Sequence, residues 1–102
     1  MDEKIYSELI RFRRTMMRVS KRQLWRHKLL KLVPSEGGWW VELYASKQYA
    51  ESVGRNRENR RLVRDRDVVR QAVSMARQHR IPVLNVLLPG EEENGVITEA
   101  TE

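Results

Sequence analysis

WWVELYA, Trp39 to Ala45, is the stretch on which the fold class turns. Side chains of an extended chain alternate sides, so Trp39, Val41, Leu43 and Ala45 fall on one face and Trp40, Glu42 and Tyr44 on the other. The pattern predicts a strand with its first face in a core and two aromatic rings, Trp40 and Tyr44, on the less buried side. PSEGG, residues 34 to 38, comes just before it. Pro34 is expected to close a helix there, and the paired glycines admit the positive φ of a turn.

Upstream, Ile5, Leu9, Phe12, Met16 and Val19 step by four, three, four and three, which lines them into one helical seam flanked by Tyr6, Ile10 and Met17. Ser20 followed by Gln23 forms an S-x-x-Q capping box. It predicts a second helix from near Lys21 that gathers Trp25, Leu29 and Leu32, or else one long helix kinked at Val19 and Ser20. Trp25 and Trp39 are assigned to the core. Arg11, Arg14, Arg18, Lys21 and Arg22 lie off the seam and leave a basic face opposite the apolar one.

Downstream, Ser46 is placed to cap a short helix through Val53, with Gly54 in the C′ position that glycine favours. RNRENRRLVRDR, Arg55 to Arg66, follows, and six of its twelve residues are arginine. Asp65 or Asp67 then caps a further helix carrying Val69, Ala72, Val73 and Ala76. His79 and Arg80 suit its C-terminal end, and Pro82 stops it. Within IPVLNVLL, Ile81 to Leu88, a second strand is expected over 83–88, buried on both faces, with Leu84, Val86 and Leu88 on one of them. The segment beyond it, PGEEENGVITEATE, is too polar to pack, so residues 91–102 are expected to form a disordered acidic tail.

The fold expected from these elements is a small, helix-rich α+β domain spanning residues 1–90. It has an N-terminal helix or helical hairpin, a two-stranded β element (39–45 and 83–88) and a helical segment between the strands. Two strands alone make a marginal sheet, so it should be completed by segments not read as strands or by a second copy of the chain. With the apolar seam, this favours a homodimer.

The charge is divided into blocks that the formal net of +6 hides. Residues 1–33 carry +7, residues 34–46 carry −2, residues 47–80 carry +6 and residues 81–102 carry −5. Fifteen of the twenty basic residues are arginine. Arginine keeps its charge, matches phosphate two hydrogen bonds at a time and stacks on flat rings, so the bias points to polyanion or base recognition. Arg55, Arg57, Arg60, Arg61, Arg64 and Arg66 are the candidate phosphate clamp, Arg14, Arg18, Lys21 and Arg22 a supporting patch, and Trp40 and Tyr44 possible stacking rings for bases. Residues 46–65 partly resemble a helix-turn-helix. Ala50 and Gly54 have its spacing and Tyr49, Val53 and Val63 fall where apolar residues belong, while Arg55 and Arg60 stand where the motif packs apolar side chains.

Other classes find less support. With no cysteine, disulfides, thiolate metal sites and a cysteine nucleophile are excluded. His27 and His79 have no metal-ligand spacing, no hydrolase or phosphate-loop motif is present, and neither an enzyme nor a cofactor is expected. A small metal-free ribonuclease of the bacterial toxin type shares this size and basicity but carries more strands. No apolar run approaches membrane length and the N-terminus has no apolar leader core, so a soluble cytoplasmic protein is expected. The expectation is thus a DNA- or RNA-binding accessory or regulatory protein. The alternative is an adaptor or inhibitor acting on an acidic protein surface, and the composition would also suit a viral or mobile-element protein.

Overall fold

A computed structural model describes residues 3–45 and 57–91. The element order is α1 (Glu3–Arg13), a 3-10 turn (Lys21–Arg26), β1 (Leu29–Ser35), β2 (Gly38–Tyr44), β3 (Arg57–Val63), a 3-10 turn (Asp65–Asp67), α2 (Val68–Gln78), a 3-10 turn (Val83–Asn85) and β4 (Val86–Leu87). The domain is α+β, and its sheet has four strands in the order β3-β2-β1-β4.

The sheet grows from a hairpin. β1 and β2 pair antiparallel from Leu29↔Tyr44 to Ser35↔Gly38, so the hairpin turn is Glu36–Gly37 within PSEGG and no helix ends there. Gly37 takes φ +83°, a conformation open to glycine at little cost. The second helix expected around Trp25, Leu29 and Leu32 is replaced by the short turn Lys21–Arg26 and then by β1. LLKLV carries helical and strand spacing equally well, and pairing with β2 decides between them. Trp25 consequently leaves the core: it is 53% exposed, and the neighbouring Leu24 is buried in its place. Ser20 flanks that turn but makes no side-chain capping bond.

β3 pairs antiparallel with β2 from Trp39↔Val63 to Tyr44↔Arg57, with a bulge at Leu43/Tyr44. The strand is the arginine-rich stretch itself. Gly38 permits the close approach at its end, since a Cβ there would lie 2.2 Å from the Val63 carbonyl oxygen. A second helix of a helix-turn-helix over this stretch is therefore ruled out by an extended backbone at 57–63. The short helix expected from Ser46, and with it Arg55, lies outside the described residues. β4 pairs parallel with β1 through Leu30↔Val86 and Lys31↔Leu87. It is shorter than the 83–88 strand expected, because Val83–Asn85 coil into a 3-10 turn.

The registers put β3 and β4 in the same direction on opposite edges, so α2 is the crossover between them. Leu30 and Leu32 of β1, Trp39, Val41 and Leu43 of β2, and Val63, Val86 and Leu88 face the helices. There they bury Ile5 and Leu9 of α1 and Val68, Ala72 and Ala76 of α2. The seam expected on the first helix holds for Ile5 and Leu9. α1 stops at Arg13, however, so Val19 falls outside it, and Phe12 and Met16 are only partly buried against the core. The other face of the sheet carries a small cluster of Leu29, Tyr44 and Leu87.

Four strands from one chain remove the need for a second copy to complete the sheet. Glu91, expected in the mobile tail, is part of the fold: its Oε1 accepts the Leu88 N–H at 2.9 Å and pairs with Arg13. Residues 92–102 lie outside the described residues. Among the described residues no helix is long and apolar enough to cross a membrane.

Candidate nucleic-acid interface

Among the described strands β3 lies at the edge of the sheet, and every residue from Arg57 to Leu62 is exposed. Strand periodicity divides its arginines. Arg60 and Leu62 stand opposite Glu42 and Trp40 on the face away from the helices, and beyond the bulge Arg57 stands opposite Tyr44. Asn59 and Arg61 point to the helix side, where they line a shallow recess with Val41, Gln71 and Met75. Arg64 and Arg66 follow the strand and are exposed.

On the sheet face away from the helices the cross-strand rows are legible from register. Leu62, Trp40 and Val33 form one row, Arg60, Glu42, Lys31 and Leu87 the next, and Arg57, Tyr44 and Leu29 the third. Glu42 is the centre of a polar cluster although it is only 5% exposed. Its Oε1 accepts the Tyr44 hydroxyl at 2.9 Å, and its Oε2 accepts Arg60 Nε at 2.9 Å and Arg57 Nη1 at 3.5 Å. A buried carboxylate is tolerated only when paired and hydrogen-bonded, and the two guanidinium groups meet that requirement. Arg60 also lies over Trp40, its Cζ 3.7 Å from the ring centroid, close enough for a cation–π contact.

Tyr44 is therefore not a free stacking ring. It is buried, and its hydroxyl pKa is pushed up to about 12, first by burial, then by its hydrogen bond to Glu42 and by that carboxylate's charge. The ring holds its proton at neutral pH and serves as a structural donor. Trp40 is half-buried, with Leu62 beside it at 51% exposure.

The arginine cluster expected from sequence is only partly brought together. Arg57 and Arg60 converge on Glu42 and Trp40, Arg61 lies on the opposite face, and Arg64 and Arg66 continue past the strand end. The proposed supporting patch lies on a different part of the chain, with Arg14 and Arg18 beyond the end of α1 and Lys21 and Arg22 on the 3-10 turn, all exposed. Glu58 of β3 pairs with Lys28, and Asp67 accepts Arg70 Nη2 at 2.8 Å, so local acids do neutralise part of the surface.

Sequence reasoning missed Glu42, whose side chain organises the site, and the exposed Leu62. The signal was available only once Arg57–Val63 is taken as a strand, which sets Glu42 against Arg60. No metal-binding group of histidines and acids occurs among the described residues. Comparison with family models, curated proteins and solved structures found no match to this chain.

Proposed function

We propose that this is a small nucleic-acid-binding accessory or regulatory protein that contacts mainly phosphates through β3 and the residues that follow it. The observation that carries the proposal is an edge strand whose arginines are exposed in sequence and oriented by the fold. Glu42 fixes Arg57 and Arg60 by one donor each, leaving the rest of each fork available to a phosphate. Arg61, Arg64 and Arg66, exposed and in no ion pair among the described residues, supply further cations along the same edge. Trp40 with Arg60 over it offers a flat surface beside these donors, suited to one unpaired base.

Edge strands also carry charge simply to prevent pairing with other sheets. That need is met by one or two charges, and β3 with its flanks holds far more. A second reading rests on the same edge. Among the described residues no strand pairs with the outer edge of β3, so an extended acidic segment of a protein partner would find backbone pairing and arginines together. Anisotropy titrations of labelled duplex DNA, single-stranded DNA and RNA beside a labelled polyglutamate separate the two. Preference for any of the nucleic acids supports phosphate recognition, and equal or tighter binding of polyglutamate overturns it.

A further inference from the structure

On the far side of the molecule from this sheet face, the end of α1 and the C-terminal end of α2 border an open cleft of about 350 Å³. Phe12, Met16, Met17, Ala76 and Ile81 give it an apolar lining, with Arg77 and Arg80 as its charged side chains. It is a built space, because Val83 N–H donates to the Met17 carbonyl at 2.9 Å and ties the two walls together. Its size falls within the ordinary range of small-molecule sites.

Arg80 is the informative residue. It has φ 53°, and among the described residues no other non-glycine residue has a positive φ. The hydrogen bonds around it, Ile81 N–H to Ala76 O at 3.0 Å and Arg80 N–H to Arg77 O at 3.4 Å, are those of a Schellman motif with Arg80 at C′. Glycine is favoured at that position because a side chain in left-handed backbone is strained. Here an arginine stands in it, and that residue borders the cleft. Neither Arg77 nor Arg80 pairs with a carboxylate among the described residues, and no acid lines the space.

We infer that this cleft binds a small amphipathic anion, a carboxylate on an apolar body, with the body against Phe12, Met16 and Ile81 and the carboxylate on Arg80 and Arg77. The left-handed backbone at Arg80 turns the chain so that an arginine, not the glycine this position favours, borders the apolar space. The site is independent of β3.

The test uses the full chain, with decanoate as the ligand probe and displacement of anilinonaphthalene sulfonate as the readout. Decanoate should displace the dye saturably at one site, while decylamine, of opposite charge, and inorganic phosphate, with no apolar body, should not. Arg80→Gly should weaken decanoate binding about tenfold, the loss of one charge-assisted contact, and raise the melting midpoint by a few degrees as the strain is relieved. Arg80→Lys should keep most of the affinity. Equal displacement by decylamine, no saturable displacement by decanoate, or undiminished decanoate binding in Arg80→Gly would each overturn the assignment.

Discussion

Glu42 carries two bonds from guanidinium groups that reach solvent and one from a phenol that does not, so its partners are not equivalent. Arg60 is the closer cation, at 2.9 Å, and also covers Trp40. Replacing it with Met leaves the buried carboxylate with the Tyr44 hydroxyl and the longer Arg57 contact, and so with one more distant cation. The expected cost is about 3 kcal/mol, the low end for a broken buried pair, because Arg57 remains. Glu42→Gln removes the buried charge itself while keeping an acceptor, and should cost less, under about 1.5 kcal/mol. Denaturant unfolding of the two variants checks the order, and a costlier Glu42→Gln would mean the carboxylate is not the group that needs compensation. Tyr44 gives a pH signature from the same cluster. Its pKa is raised to about 12, so the folded chain holds that proton more tightly than the unfolded chain, whose tyrosines titrate near 10. The stabilisation is full below pH 10 and is lost as pH rises through 12. Spectrophotometric titration should show a phenolate that appears only near pH 12 and is absent from Tyr44→Phe, with stability falling between those two pH values in the wild type alone.

At the scale of elements, the junction between β2 and β3 is held by one glycine. Gly38→Ala would set a methyl 2.2 Å from the Val63 carbonyl oxygen, and backbone cannot rotate away as a side chain can. A loss of about 2 kcal/mol is expected, with weakened hydrogen-exchange protection in β3 but not in α2. Retained protection in β3 would show that the strand does not depend on this approach. The same strand marks the limit of sequence reading. β2 was legible because its alternation is sharp, and α2 because Ala72 and Ala76 sit at helical spacing and are buried as expected. β3 has no such signal: one residue, Val63, is buried, and Arg and Asn have little intrinsic strand preference, so the pairing with β2 creates the strand. β1 was misread for a related reason, since Leu29 and Leu32 fit a helix as well as a doubly covered strand. Trp25, read as core from its size, is displaced by Leu24 once that helix is gone. Of the candidate site, the arginines were visible in sequence, while their division between two faces and their anchoring on Glu42 required the register.

For the molecule as a whole, helices cover one face of the sheet and leave the other to Trp40, Leu62 and the guanidinium groups, with β3 at the open edge and β4 at the other. Cations on such an edge release counterions from a phosphate backbone when they bind it, so affinity should fall linearly with salt on logarithmic axes. Arg61, Arg64 and Arg66 are the residues to change, because they do not hold Glu42 and their loss should leave the fold intact. The decisive measurement is the affinity for a short B-DNA duplex and for a single strand across a salt series, for the wild type and for the Arg61→Gln, Arg64→Gln, Arg66→Gln triple variant. The expected result is a steep wild-type dependence, with the triple variant weaker on both ligands and its duplex slope shallower by about 0.9 for each lost phosphate contact. A flat wild-type response, no binding at low salt, or an unchanged slope in a folded triple variant would contradict phosphate recognition by this strand.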